Sequence, residues 1–126
     1  MDQPSQPFDL SVSAVGLDHA GGSFVEAASG PDPVIDGFVV SAPNMTVAPP
    51  HGGERHLDGA ELLVLISGSV TVILEEDNAE RSSDLSPGQG FLVPPSVWHR
   101  VEINQPSQLL YITPGPNSEH RPGVAT

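Results

Sequence analysis

The sequence predicts an all-β fold, a single-domain sandwich or barrel of many short strands with little helix. The first observation is that 14 prolines and 13 glycines recur along 126 residues, so few windows could hold an uninterrupted helix. The second is that short apolar or alternating segments lie between clusters of turn-forming residues. The third is the length, which suits one domain with its own hydrophobic core.

Ten segments have the composition of β-strands, and the turn clusters SGPDP, APN, EEDNAE and SPGQG separate several of them. In chain order the predicted strands are residues 10–15, 23–28, 34–41, 44–48, 53–57, 60–67, 69–75, 90–93, 97–103 and 108–113. We expect residues 1–8 to form an N-terminal arm, residues 9–113 the β-barrel domain, and residues 114–126 a Pro-rich C-terminal tail.

The composition excludes several classes of chemistry. Cysteine and lysine are absent, which removes disulfides, thiolate zinc sites, Schiff bases and the phosphate-binding P-loop. Four arginines stand against sixteen acidic residues, and the net charge of -12 disfavours nucleic acid and anionic membranes as partners. Since the sequence shows neither a secretory signal nor an apolar run of membrane-spanning length, we expect a cytoplasmic protein.

A turn signal in the middle of the chain would bring metal-binding side chains together. Asp58-Gly59 is a dipeptide typical of the two-residue type I′ hairpin turn. Counting outward from this turn places His56 directly opposite Glu61, with Glu54 on the same face two residues before His56. We therefore expect three groups that can bind a metal ion to converge on one face of a hairpin.

That face is predicted to be the inner one, since Leu63 and Leu65 continue it along the second strand. Two carboxylates on an inner face are costly unless a positive charge accompanies them or they take up protons. Arg55 and Arg100 are predicted to point outward, because each is adjacent in sequence to a residue that points inward. A divalent cation would solve the problem, and imidazole with carboxylate suits Fe(II), Mn(II), Ni(II) or Zn(II).

His99 is the candidate for the remaining ligand. In PPSVWHRVEI it alternates with three aliphatic residues, which places it on their inward face. His56, Glu61 and His99 then make a set of two imidazoles and one carboxylate. The alternatives are histidines that are buried neutral and hydrogen-bonded, and a Glu61 that only ends the hairpin edge. Trp98 has the opposite parity and is predicted on the outer face or in a subunit contact.

The spacing of these residues resembles the first motif of the cupin superfamily, which consists of small jelly-roll β-barrels. In the family this motif is a glycine, five residues, His-x-His, three or four residues, Glu, six residues and Gly. Here His56, Glu61 and Gly68 match the motif. Glu54 stands in the place of its first His and Ala48 in the place of its first Gly.

The second cupin motif is a glycine, five residues, Pro-x-Gly, two residues, His, three residues and Asn. Gly88, Pro94 and His99 match this pattern. Ser96 stands in the place of its second Gly and Ile103 in the place of its Asn. Both motifs therefore resemble the family in spacing, and each departs from it at two positions.

The resemblance covers about residues 44–112 and implies a cupin-like jelly-roll β-barrel with one bound metal ion. Carried over by position, it implies that His56, Glu61 and His99 are metal ligands. Glu54 would be either a fourth ligand or a general acid or base that stands beside the metal. The metal itself stays open among Fe, Mn, Ni and Zn.

Other residues are weaker candidates for the site. His51 could join it as an additional ligand, because Gly52-Gly53 permits a β-bulge that shifts parity. Tyr111 and Thr113 share a face of the last predicted strand and could line the cavity, although Tyr111 could equally be core filler. His120 lies in terminal sequence, and we expect it to lie away from the site.

The resemblance implies a metal-dependent enzyme that acts on a small molecule. With Fe(II) it would be a dioxygenase, and with Mn, Ni or Zn a Lewis-acid isomerase, lyase or decarboxylase. The alternative is a non-catalytic cupin that binds or senses a small ligand, and a third reading is a structural barrel filled by its own side chains. The apolar residues Leu62, Val64 and Ile66, of the parity opposite to Glu61, predict a homodimer through one sheet.

Overall fold

The computed structural model describes residues 5–30, 33–49 and 51–122, and of His51 it describes the backbone only. The prediction of an all-β jelly-roll fold is confirmed, since these residues form ten strands and no helix. The strands are β1 Ser13–Asp18, β2 Ser23–Ala27, β3 Gly37–Ser41, β4 Asn44–Met45, β5 His51–His56, β6 Glu61–Glu76, β7 Ala79–Leu85, β8 Gly90–Val93, β9 Trp98–Pro114 and β10 Ser118–Pro122.

The strands form one antiparallel sheet that curls into two facing halves, joined by the long strands β6 and β9. One half, here called the β5 half, contains β10, β5, residues 98–103 of β9, residues 69–76 of β6, and β7. The other, the β8 half, contains β8, residues 61–65 of β6, residues 109–114 of β9, β3, β1 and β2. The short strand β4 pairs with the middle of β9.

Both long strands bend where they pass from one half to the other. The pairing of β6 with β9 shifts register between Leu65 and Val70. Gly68 lies in this stretch with φ +94°, and a Cβ there would collide with the side chain and backbone of Ser107. The buried positions of β6 accordingly change from odd to even numbers across the bend. The sequence predicts separate strands at 60–67 and 69–75, and the structure joins them through this glycine.

The space between the halves is filled by an apolar core to which both contribute. Its buried members are Leu63, Leu65, Val70, Val72, Leu74, Leu85, Val93, Val101 and Leu109. Burial of a side chain of this kind contributes about 1.5 to 3 kcal/mol relative to exposure. The core occupies one part of the interior and leaves the other part for polar side chains.

The prediction of a hairpin turn at Asp58-Gly59 is wrong. β5 pairs with β9 and β10, whereas β6 pairs with β7, β8 and β9, so the link from β5 to β6 crosses between the two halves. Asp58 does not adopt the positive φ that a type I′ turn requires. Its carboxylate instead accepts hydrogen bonds of 2.5 and 3.0 Å from the backbone and side chain of Asn117. This contact ties the crossing to the segment that precedes β10.

The two-residue hairpin turn lies at Asp77-Asn78, within the predicted turn cluster EEDNAE. Both residues have positive φ, 52° and 62°, and Glu76 pairs with Ala79 across the turn. Asp and Asn tolerate this conformation better than other residues with side chains. The hairpin joins β6 to β7, a strand that is not among those predicted, because AERSSDL offers no apolar alternation.

Part of the predicted C-terminal tail lies against the edge of the sheet. Within residues 114–126, predicted as a Pro-rich tail, residues 118–122 form β10 and pair with β5 at the edge of the sheet. None of the described segments is a helix of the length and hydropathy that crossing a membrane requires. The cytoplasmic location stays a prediction.

Candidate metal centre

Strands β5 and β9 place three polar side chains on the inner surface of the β5 half. Glu54 lies directly opposite His99 in the pairing of β5 with β9, and directly opposed residues of a ladder share a face. His56 is two residues beyond Glu54 and therefore points to the same side. His99 in turn lies opposite the core residue Leu74 of β6, which identifies this side as the interior.

Glu61 reaches the same point from the facing half of the sheet. It begins β6, pairs with Val93 of β8, and is 2 % exposed. The sequence placed Glu61 opposite His56 in a hairpin, but the structure brings the two together across the interior. Because the two halves of the curled sheet face each other, convergence is achieved without any ladder pairing between β5 and β6.

The four side chains of Glu54, His56, Glu61 and His99 form one cluster, in which a potential ligand atom of each lies within 4.8 Å of the others. His99 Nε2 lies 2.9 Å from Glu61 Oε1, and His56 Nε2 lies 3.4 Å from Glu61 Oε2. Glu54 Oε1 lies 3.5 Å from Nε2 of each histidine. All four predicted ligand positions are therefore adjacent.

Both imidazoles are oriented by a hydrogen bond on the side away from the cluster. His99 Nδ1 donates to the carbonyl of Val97 at 3.1 Å. His56 Nδ1 is hydrogen-bonded to Ser118 Oγ of β10 at 2.7 Å. With Nδ1 engaged in this way, Nε2 of each ring faces the carboxylates.

The carboxylates have outer partners as well. Thr113 Oγ1 donates to Glu61 Oε2 at 2.5 Å, and His120 Nε2 lies 3.0 Å from Glu54 Oε2. The expectation that His120 lies away from the site is wrong, because β10 pairs it directly opposite Glu54. Its role could not be found in the sequence, since SEHRP has no apolar alternation that would predict a strand.

The electrostatics of the cluster show strong mutual stabilisation. Burial by itself lowers the pKa values of the imidazoles, but the adjacent carboxylates outweigh it and raise the pKa of His56 to about 9 and that of His99 to about 10. Burial likewise favours raised pKa values for Glu54 and Glu61, and the two imidazoles hold both well below the ordinary value. A protonated, metal-free cluster therefore pairs two cations with two anions.

The residues present fit a divalent first-row metal ion. Ligands about 2.1 Å from a common ion stand roughly 3.0 to 3.4 Å apart when they are neighbours, which is close to the distances between these donors. His56 Nε2 is buried and makes no hydrogen bond within the described residues, an unsatisfied state that metal coordination would relieve. Two imidazoles and two carboxylates suit Fe(II), Mn(II), Ni(II) or Zn(II).

A cavity of about 530 Å³ opens beside the cluster. Glu54, His56 and Glu61 form its polar end, and Tyr111 and Thr113 contribute to its wall as predicted. Its apolar wall includes Val39, Met45, Leu63, Val101 and Leu109. The predicted reading of a barrel filled by its own side chains is therefore wrong.

The bulge predicted at Gly52-Gly53 is present. Gly53 pairs with Arg121 of β10 while His51 pairs with Pro122, so the register shifts between them. The side chain of His51 lies outside the described residues, and its proposed contribution as a ligand stays a prediction.

The outer surface of the same strands carries a stack of charged and aromatic side chains. The guanidinium carbons of Arg55 and Arg121 lie 4.8 and 4.4 Å from the ring centroid of Trp98. Arg55 also forms an ion pair with Glu119 at 2.6 Å, and Arg121 with Glu75. Trp98 thus lies on the outer face, as its parity predicts, and the stack joins β5, β9 and β10.

Comparison with protein families agrees with this geometry. The model of the cupin domain family matches residues 43–113, a range that contains all four clustered residues. No curated protein sequence gives a significant match to the chain.

Solved structures are similar to this chain at the level of the fold. A cupin-2 domain protein from Shewanella frigidimarina has 14 % identity and a TM-score of 0.53, with 67 % of this chain and 76 % of that one covered. Oxalate decarboxylase from Bacillus subtilis has 14 % identity and a TM-score of 0.56 over 66 % of this chain, which spans only 23 % of the decarboxylase.

Two further neighbours show how widely activities vary on this fold. Hydroxypropylphosphonic acid epoxidase from S. wedmorenis has 16 % identity and a TM-score of 0.50. The match covers 60 % of this chain and 42 % of the epoxidase chain. Peruvianin-I, a cysteine peptidase from Thevetia peruviana latex, has 14 % identity and a TM-score of 0.58. The match covers 69 % of this chain and 57 % of the peptidase chain. The present chain contains no cysteine, so the shared fold does not carry the activity with it.

Proposed function

The chain belongs to the cupin superfamily, and from this premise we propose that it is a metal-dependent enzyme that acts on a small molecule. The observation that carries the proposal is the buried cluster of Glu54, His56, Glu61 and His99 at the polar end of the cavity. Four ligand-type side chains from three strands converge there, and each has an outer partner that orients it. Such preorganisation is typical of functional metal sites.

Three of these side chains would hold the ion through atoms that already face one another. His56 and His99 would bind through Nε2, and Glu61 through a carboxylate oxygen, with Thr113 fixing the other oxygen of Glu61. When bound, a divalent ion supplies Lewis-acid polarisation, and iron supplies in addition a redox centre. With iron the enzyme would be a dioxygenase, and with another divalent metal it would be an isomerase, lyase or decarboxylase.

Glu54 is the carboxylate that a substrate can reach. Its side chain is 22 % exposed, whereas that of Glu61 is 3 % exposed. Glu54 Oε1 faces the two imidazoles and Oε2 faces His120. We assign Glu54 as a fourth ligand through Oε1 and as the general acid or base of the site through Oε2, where His120 would share the proton.

Metal analysis of protein purified without chelator tests the proposal. We expect about one first-row metal ion per chain, and we expect its removal to lower the melting temperature, because the metal binds only the folded state. Protein that contains no such metal and takes none up afterwards would contradict the proposal. If metal-free protein binds a small ligand and screens for oxygen consumption and isomerase activity stay silent, the non-catalytic sensor is the better description.

The outer surface of the β8 half supports a homodimer. Val15, Val40, Ile112, Leu62 and Leu92 are successive ladder partners across five strands and form an apolar row on one face. Leu92 is 66 % exposed on this row. A contiguous apolar face of this kind is typical of a self-complementary contact.

Light scattering coupled to gel filtration tests the dimer. We expect the mass of two chains, and we expect Leu92→Asp to give the mass of one chain without loss of bound metal. A wild-type protein that elutes as a monomer at all concentrations would contradict the dimer and leave the metal site unaffected.

A further inference from the structure

We propose that the cavity takes an uncharged, largely apolar small molecule with one or two hydroxyl or carbonyl oxygens, and that it discriminates against carboxylates and phosphonates. This inference rests on the proposed metal-dependent function and names its substrate class. It rests on the charges that the described residues place at the cavity and around it.

The charge of the centre is the first step. Glu54 and Glu61 together bring two negative charges to the cluster, so they would fully neutralise one bound divalent ion. A site with two imidazoles and two carboxylates therefore offers an anionic substrate no net electrostatic attraction. Replacing the motif's first histidine with Glu54 changes the charge of the centre by one unit relative to the three-His, one-Glu pattern.

The placement of the arginines is the second step. The sequence has four arginines and no lysine, and each arginine forms an ion pair with a glutamate. The pairs are Arg55 with Glu119, Arg81 with Glu76, Arg100 with Glu80, and Arg121 with Glu75. Every guanidinium group in the chain is thus engaged by a carboxylate, away from the side chains that line the cavity. Arginine is the side chain that typically binds a carboxylate or phosphonate through two parallel hydrogen bonds.

The remaining polar groups of the cavity suit an uncharged ligand. Tyr111, Thr113 and Ser118 bring hydroxyl groups to its lining. The hydroxyl groups of Thr113 and Ser118 also bond to Glu61 and His56, and His120 faces the Glu54 carboxylate. Hydroxyl groups pair well with a ligand's hydroxyl or carbonyl oxygens. An ionised ligand placed among the aliphatic side chains would lose its hydration without gaining a counter-charge, at much greater cost.

The volume of the cavity is consistent with this class. About 530 Å³ is within the range of small-molecule sites and holds one ring with its substituents. The walls are apolar and the polar groups are gathered at one end, so a ligand would present its oxygens to the cluster and its hydrocarbon part to the wall.

A matched pair of probes tests the proposal by binding and needs no turnover. Catechol and 3,4-dihydroxybenzoate share the same diol and differ by one carboxylate. Binding is measured by calorimetry and ligand-observed NMR, on protein whose metal content has been verified before and after titration. We expect catechol to bind at least about tenfold more tightly than the acid, a difference that a single unpaired buried charge readily produces.

Two results would overturn the inference. One is that the acid binds as tightly as catechol or more tightly, and the other is that neither binds at millimolar concentration. A protein that takes up no metal would defeat the proposed function instead, and the prior metal measurement separates that failure from this one.

A charge added at the cavity provides an independent check. Val34 lines the cavity and is 82 % exposed, so Val34→Arg should fold and bring a cation to the site. Val12 is 62 % exposed and is not part of the lining, so Val12→Arg is the matched control for net charge. We expect Val34→Arg to strengthen binding of the acid severalfold and Val12→Arg to leave it unchanged. Equal effects of the two variants would contradict the charge argument.

Discussion

The inner and outer faces of β10, β5 and the first part of β9 satisfy charge in two different ways. On the inner face, Glu54, His56 and His99 are joined by Glu61 from the facing half, and the carboxylates pair with the imidazoles. On the outer face, acidic residues pair with arginines that stack on an indole ring. Alternation along each strand separates the two sets.

The difference teaches that the two faces have complementary roles. The outer pairs are partly exposed, and ion pairs of that kind contribute about 0 to 1 kcal/mol each. The inner groups are buried, and removing one partner of a buried pair costs about 3 to 5 kcal/mol. The outer stack stabilises the packing of β10 against its neighbours. Strand β10 in turn places Ser118 and His120 in contact with the inner cluster.

The largest effect is expected from neutralising an inner carboxylate. Glu61→Gln should lower metal affinity by more than about 100-fold, because it removes a ligand rather than a residue that only orients one. The matched outer variant is Glu119→Gln, which loses the ion pair with Arg55 on the other face. Isothermal titration with Mn(II) or Zn(II) measures both. Similar losses in the two variants would contradict the division between the faces.

The second effect concerns residues that orient the ligands. Thr113→Val removes the hydroxyl that donates to Glu61 and nearly preserves the shape of the side chain. We expect metal affinity to fall by about 10- to 100-fold, the usual range for such partners. Thr71→Val is the control, because Thr71 donates to Asp84 at the surface, far from the cluster in the pairing of β6 with β7. The cluster assignment fails if the control variant loses as much affinity.

Sequence reasoning predicts a good part of the cluster but for a reason that is partly wrong. The parity of His99 among aliphatic residues is correct, since His99 and Val101 are both buried. The meeting of His56 with Glu61 was inferred from a hairpin turn, whereas the two residues lie on facing halves of the sheet. Local turn propensity does not determine which strands pair, because ladder partners are chosen by contacts between distant segments.

The contribution of β10 shows what the sequence does not contain. The segment SEHRP is polar and carries no alternation, so nothing in it predicts a strand. It becomes one because the edge of β5 is available for pairing, and because Arg121 stacks on Trp98. Half of the outer partners of the cluster, Ser118 and His120, were therefore beyond sequence reasoning.

The third prediction concerns the pH dependence of stability that arises from the inner cluster. The pKa values of His56 and His99 are raised from 6.5 to about 9 and about 10 in the folded, metal-free protein. Their contribution to stability is therefore fully present below pH 6.5 and is lost as the pH rises through 9 to 10.

Melting temperatures of chelator-treated and metal-loaded protein, measured between pH 7 and pH 10, check this prediction. The metal-free protein should lose stability over this range. The loaded protein should keep it, because metal binding requires neutral imidazoles and releases their protons. Parallel declines in the two forms would show that the loss does not arise from the cluster.

The fourth effect is expected from the outer stack. Trp98→Leu removes two cation–π contacts, each contributing about 0.5 to 1 kcal/mol at a partly exposed site. The free energy of unfolding should fall by about 1 to 2 kcal/mol, with metal affinity reduced far less than in Thr113→Val. Urea denaturation and metal titration of the same samples measure both quantities. Trp98→Phe, which retains an aromatic face, should recover part of the stability.

The smallest effect is expected at the turn before β9, which supports the inner face through the backbone alone. Ser96 has a φ of 64°, in the left-handed region, and occupies a position where the second cupin motif has glycine. Its N–H donates to the carbonyl of His56 at 2.8 Å, a bond that glycine retains. Ser96→Gly should therefore raise the free energy of unfolding, since a residue with a side chain loses about 1 to 2 kcal/mol there. The greater freedom of glycine in the unfolded chain offsets part of this gain, and we expect a net rise of about 0.5 kcal/mol.

Ser96→Ala is the matched control because it keeps a Cβ in the left-handed region, and it should show no gain in urea denaturation. A gain of equal size in both variants would trace the effect to the lost hydroxyl and contradict the role of backbone strain.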